Sequence, residues 1–211
     1  MKLIKEKQTK IYTNVLLVFF AVFSLMALIH IVLNHFDTTS IGILKGFIVL
    51  TGGLVGLYVF VKQKNLLKIE KVNVSDIFII VFLLGLFVIN NLIFDTNSFG
   101  YKGISFLLLL DFTIISIGEE LFYRGFVQTY INENTINKKM ISNGNIFATI
   151  LMTLTHIGFF SVLSPLFATT SLLLVIIFSL TAGYFRDKTK GIIIPVIVHL
   201  LVNLSHLYIP N

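Results

Sequence analysis

The chain contains no cysteine. Disulfides, thiolate nucleophiles and Cys-ligated metal centres are therefore excluded, and nothing follows about compartment. Charge is scarce as well. Only 12% of the 211 residues are Asp, Glu, Lys or Arg, against roughly 25% in soluble domains. Hydrophobic residues make up 56% and mean hydropathy is +0.93, which leaves no material for a soluble surface. Alternation of apolar and polar residues is missing too. Ile77–Leu86 reads IFIIVFLLGL, which does not fit the alternating strands of about 10 residues that a membrane barrel needs.

What remains is a series of long apolar blocks. A bilayer core of about 30 Å takes about 20 apolar residues as a helix, and helices satisfy their backbone internally in lipid. The pattern predicts an all-α, polytopic transmembrane helical bundle of about seven spans. Their approximate limits are 12–33, 40–61, 75–94, 103–129, 146–163, 166–185 and 191–209. Glycines at 46, 52, 53 and 56 loosen the second span and suggest close helix packing there. The first apolar run is longer than a signal-peptide core and no A-x-A site follows, so it reads as a span. With no repeat, low-complexity tract or linker, 1–211 reads as a single membrane domain.

Charge supplies an orientation. Lys2, Lys5, Lys7 and Lys10 precede the first span. Lys62, Lys64, Lys68 and Lys71 follow the second, Lys138 and Lys139 the fourth, and Arg186, Lys188 and Lys190 the sixth. All fall on one side, and the opposite loops carry only Lys102. The positive-inside rule makes that side, and the N-terminus, cytoplasmic. The formal charge of +6 is thereby assigned to membrane topology, and nucleic acid is not expected as a partner. The lipid bilayer is.

Ionisable residues inside spans are costly and usually functional. Span four carries Glu119, Glu120 and Arg124, span five His156, and span seven His199 and Asn203. At about 1.5 Å per residue all three groups reach the middle or inner half of the membrane, where they can meet. Glu120 and Arg124 share a helix face at i, i+4, as do His199 and Asn203. Such a set supplies a general base, polarising donors and a charge clamp, without deciding which glutamate is the base. Arg124 alternatively snorkels to the cytoplasmic interface. His30, His35 and His206 are expected near the outer interface. Asp111 and Lys45 either pair there or Lys45 snorkels. Asn90 and Asn91 are expected to bond between helices or face the outer interface.

Glu119-Glu120-Leu121-Phe122-Tyr123-Arg124 resembles the E-E-x-x-x-R signature of the CPBP family, the CAAX-protease and bacteriocin-processing (Abi) intramembrane endopeptidases. Met152-Thr153-Leu154-Thr155-His156 resembles its F-x-x-x-H motif with the Phe replaced, a change expected to affect packing only. His199-Leu200-Leu201-Val202-Asn203, after Gly191-Ile192-Ile193-Ile194-Pro195, resembles H-x-x-x-N/D. The resemblance makes 103–209 a CPBP-like catalytic core and leaves 1–102 as three additional spans without a motif.

The resemblance implies an intramembrane endopeptidase, a hydrolase acting on a membrane-associated peptide or protein. By the same carry-over Glu119 with His156 activates a water, Glu120 and Arg124 hold substrate and site geometry, and His199 and Asn203 donate to the oxyanion. Substrates are prenylated CAAX proteins in eukaryotic relatives and often peptide precursors in bacterial ones, whose short loops this chain shares. A bacterial plasma membrane is the expected location. Two His and two Glu are compatible with zinc, although the reading favours no required cofactor. Other intramembrane proteases fit less well, because no H-E-x-x-H or G-x-S-x-G occurs. A non-proteolytic immunity or regulatory protein on the same scaffold stays open as the alternative. A proton-coupled transporter ranks last, since no inverted repeat is visible.

Overall fold

The computed structural model describes residues 2–33, 38–62, 66–70, 72–94, 105–135 and 140–205. His35, His206, Lys64, Lys71, Lys102, Lys138 and Lys139 lie outside the described residues. All regular structure among those described is helical. The helices are α1 (Lys2–Val32), α2 (Thr38–Phe60), α3 (Val74–Ile93), α4 (Phe106–Glu120), a π-helical segment (Leu121–Gln128), α5 (Thr129–Asn134), α6 (Asn143–Thr155), α7 (Phe159–Val162), α8 (Pro165–Thr189) and α9 (Ile193–Ser205). Five stretches are long and apolar enough to cross a membrane: Gln8–Val32, Ser40–Phe60, Val74–Ile93, Asn143–Val162 and Pro165–Thr189. Ile193–Ser205 is a shorter apolar helix.

Helix limits follow local chemistry. Asn73 caps α3 reciprocally with Asp76, a capping box that satisfies two orphan N–H groups. Ser105 and Ser142 cap α4 and α6 through their hydroxyls. Pro165 opens α8, where its missing N–H costs nothing. Lys190 closes it in the left-handed region at φ 60°. Between α4 and α5 the chain stays helical but widens to the π form over eight residues, a distortion frequent at functional sites. There the Thr129 hydroxyl donates to the carbonyl of Arg124 at 2.8 Å.

Packing follows small residues. α2 lies along α4 and the π segment, and its glycines set the approach. A Cβ on Gly53 would fall 2.9 Å from the Phe122 nitrogen, and one on Gly118 would fall 2.8 Å from the Gly46 carbonyl oxygen. Small residues that let backbones approach are the usual basis of helix contact in lipid, as the composition of α2 suggests. Interhelical amides add to this. Asn90 donates to Ser171 at 3.2 Å and Asn91 to the Ser205 carbonyl at 3.2 Å. Both are bonds between helices, the first of the two expectations for them.

One end of the bundle gathers the connections. Glu70 N–H donates to the Thr189 carbonyl and Ile192 N–H to that of Leu66, at 3.2 and 2.8 Å. Lys62 N–H donates to the Glu133 carboxylate at 3.0 Å, and Lys188 pairs with Asp76 at 2.7 Å. Several of the loops assigned to one side by their lysines thus meet in space.

Two expectations need correction. The fifth apolar block is not one regular helix over 146–163. It breaks after Thr155, and His156 to Gly158 form a turn before α7. Arg124 does not snorkel: it is fully buried. Lys45 bonds to His30 Nδ1 at 3.2 Å, which ties α1 to α2, and it also attracts the Asp111 carboxylate, which packs against Gly42.

Candidate active site

The six polar residues picked from the sequence come from three places in the fold. Glu119 and Glu120 end α4 and Arg124 sits in the π segment. His156 follows α6, and His199 and Asn203 lie on α9. Their surroundings separate them into a sealed group and an accessible one.

The sealed group centres on Glu120 and Arg124, both without solvent exposure. Arg124 Nε lies 3.3 Å from Glu120 Oε2, at the i, i+4 spacing. The other carboxylate oxygen, Oε1, lies 2.9 Å from His199 Nδ1. Both oxygens of Glu120 are thus engaged. The far side of the guanidinium donates through Nη2 to the Ser179 hydroxyl and contacts Met152 Sδ at 3.8 Å. Ser179 in turn donates to Thr149 at 3.0 Å, and Asn145 Nδ2 donates to the Leu180 carbonyl at 3.0 Å. A buried charge is tolerated only when paired and hydrogen-bonded; Arg124 is paired with Glu120 and hydrogen-bonded through Nη2, while its Nε and Nη1 make no hydrogen bond. Met152 therefore does more than fill space: its sulfur faces the arginine.

Glu119 faces the other way. It is 9% exposed, and with His156 and Thr155 it lines a groove of about 590 Å³ between α1 and α6. Its Oε2 is 3.8 Å from His199 Nε2 and has no hydrogen-bond partner. His199 thus stands between the two carboxylates, Nδ1 towards Glu120 and Nε2 towards Glu119.

His156 has φ −94° and ψ −1°, in the sparsely allowed bridge region where many active-site residues sit. Its Nδ1 lies 2.8 Å from the Met152 carbonyl. A carbonyl only accepts, so Nδ1 carries the proton and the neutral ring keeps a lone pair on Nε2. Thr155 donates to the same carbonyl at 2.8 Å, and Tyr123 OH lies 3.1 Å from Thr155. His156, His199 and Asn203 also line one small enclosed cavity, closed by Phe87, Phe178 and Val202. Asn203 Nδ2 donates to Ser116 at 3.0 Å, which leaves its second N–H free of that bond.

Four of the six residues therefore line two spaces that share His156, and Glu120 and Arg124 are sealed off from both. Sequence reasoning missed Ser116, Tyr123, Thr149, Thr155 and Ser179. Serine and threonine in apolar helices commonly bond only their own preceding turn, as Thr153 does to the Thr149 carbonyl, so their presence in the chain carries little signal.

Zinc would require several donors around one point. Among the described residues no group of three or more His, Asp or Glu is so arranged, and the Glu120 oxygens already serve Arg124 and His199.

A family model described as type II CAAX prenyl endopeptidase Rce1-like matches residues 101–205. That stretch contains all six residues. No curated protein and no solved structure matches the chain.

Proposed function

Since the chain belongs to the CAAX-protease family through residues 101–205, we propose that this multi-pass membrane protein is an intramembrane endopeptidase that uses Glu119 and His156 to activate water. The substrate is a membrane-associated peptide or protein. One observation carries the assignment: Glu119 shares an accessible groove with His156, while Glu120 is sealed with Arg124 and His199.

The chemistry follows from those positions. Glu119 accepts a proton from a water held with His156 Nε2, and the resulting hydroxide attacks the scissile carbonyl carbon. The carbonyl π bond opens to an oxyanion, which accepts from the second N–H of Asn203 and, when both its ring nitrogens carry protons, from His199 Nε2. Preorganised donors at such a point are usually the largest catalytic contribution. The C–N bond then breaks and the proton held by Glu119 passes to the leaving amine. Glu120 and Arg124 do not touch the reacting atoms in this scheme. They fix the end of α4 and orient His199. No metal takes part in our reading.

The full topology belongs to the same reading. The five long apolar stretches are joined by Phe106–Asn134, whose Glu119, Glu120 and Arg124 are buried, and by α9, which gives about seven spans. The clustered lysine-bearing end is cytoplasmic by the positive-inside rule, and the protein resides in a bacterial plasma membrane. No feature of the site favours a non-proteolytic role.

The test is cleavage of a panel of membrane-tethered peptides by purified protein in liposomes, with Glu119→Ala as control and with and without chelator. Cleavage that is lost in the variant and kept with chelator is expected. Cleavage lost with chelator would require a metal, and cleavage undiminished in a folded Glu119→Ala protein would overturn the assignment.

A further inference from the structure

We propose that the cleft between α1 and α6 binds the apolar side chains of the substrate beside the scissile bond, and that Phe20 and Phe23 of α1 determine which side chains are accepted. The inference rests on the endopeptidase reading above and adds to it the residues of α1 that select among substrates.

The cleft is built as a subsite. Its α1 wall carries Leu16, Phe20, Phe23 and Met26, and its α6 wall Leu151 and Leu154. Its floor is Glu119, Thr155 and His156. Beyond one end Tyr12 packs on Phe147 with centroids 5.0 Å apart, and Asn14 donates to Tyr130 of α5 at 3.1 Å. The side is open: Phe20 on one rim is 61% exposed and Leu154 on the other 50%. Phe23 forms the inner wall, 5.9 Å from the Phe122 ring and 6.4 Å from that of Tyr123. The aromatic wall is thereby seated on the motif segment itself.

The volume of about 590 Å³ falls within the ~300–1,000 Å³ of sites that enclose a ligand, so an extended peptide can place more than one side chain there. Apart from the floor, Ser24 is the only polar lining residue among those described. A charged substrate residue would lose its solvation without a partner, whereas an apolar one replaces lipid chains along these walls without that cost. The second large apolar cavity makes the contrast. It lies between α1 and α2, holds about 450 Å³, and is lined by Val18, Phe47 and Val55 among others, with no ionisable group. Of these two, the α1–α6 cleft is the one that ends on the proposed water-activating pair. Its selecting wall comes from α1, outside the motif-bearing stretch 101–205 that the family model matches.

The absence of cysteine gives a clean probe. In a Glu119→Gln background, Phe20→Cys is reconstituted in liposomes with the tethered peptides, each carrying one cysteine next to an apolar residue. Phe78→Cys on α3, where the native side chain is 70% exposed, is the control. With an added thiol oxidant, disulfide formation is expected at Phe20→Cys and at least ~10-fold less at the control. In parallel, kcat/KM is compared for peptides with Ala, Leu or Phe beside the cut. Phe20→Ala is expected to raise the Phe-to-Ala preference by ~10-fold, and Ala27→Leu, at a small α1 residue that also lines the cleft, to lower it by as much, the scale on which small pocket changes discriminate. Equal cross-linking at both positions, as in a cleft filled by lipid, overturns the proposal, and so do unchanged preferences. Equal cross-linking with Glu119-dependent cleavage would leave the protease and remove the cleft. Cross-linking confined to Phe20→Cys without such cleavage would do the reverse.

Discussion

Glu119 and Glu120 are neighbours with different surroundings, and their variants should separate accordingly. Glu119→Gln keeps size and hydrogen bonding but removes the base. Cleavage is expected to fall by at least ~10²-fold, the usual scale for a lost acid–base group, with an unchanged thermal melt in detergent. Glu120→Gln leaves Arg124 charged, buried and without its counter-ion. Breaking a buried pair costs about 3–5 kcal/mol, so this variant should lose thermal stability and cleavage together. Ser179→Ala removes an acceptor from the same guanidinium. Hydrogen bonds between membrane helices are worth about 0.6–2 kcal/mol, so a small fall in melting temperature is expected. A larger fall in kcat than in substrate binding would mark Ser179 as a positioning residue. Arg124→Lys should not rescue, because an ammonium cannot serve Glu120 and Ser179 from one planar fork.

At the scale of elements, the contact of α2 with α4 and the π segment sets where the glutamates stand. Gly118 immediately precedes Glu119, and its missing Cβ admits the Gly46 carbonyl. Gly118→Ala places a carbon where backbone already lies, so the helices must part. Lower thermal stability and reduced cleavage are expected, while Gly85→Ala, with open space around it, should change neither. The break after α6 matters in the same way. It releases His156 from the helix and lets Nδ1 reach the Met152 carbonyl. Apolar content across 146–163 does not reveal that break, because hydropathy records composition and not backbone hydrogen bonding.

For the whole molecule, the cysteine-free background again allows a direct measurement. Lys68→Cys lies in the segment that pairs with the α8–α9 connection, and Ser164→Cys lies between α7 and α8. In sealed vesicles, a membrane-impermeant thiol reagent should label Ser164→Cys from outside and Lys68→Cys only after permeabilisation. The reverse pattern would invert the topology, and labelling of both from one side would break the span count. The sequence by itself determined the helical, membrane-spanning class, the lysine asymmetry, the family motifs and the i, i+4 pairing of Glu120 with Arg124. Each of these is a local property, carried by composition or by spacing within one helix. Only the tertiary structure decided which glutamate is sealed and which faces a groove. The groups responsible lie far away in the chain: Ser179 is 55 residues from Arg124, and His199 is 79 from Glu120. It also decided that α1 walls the groove, because an apolar helix shows no preferred partner until packing brings its aromatic residues against Phe122 and Tyr123.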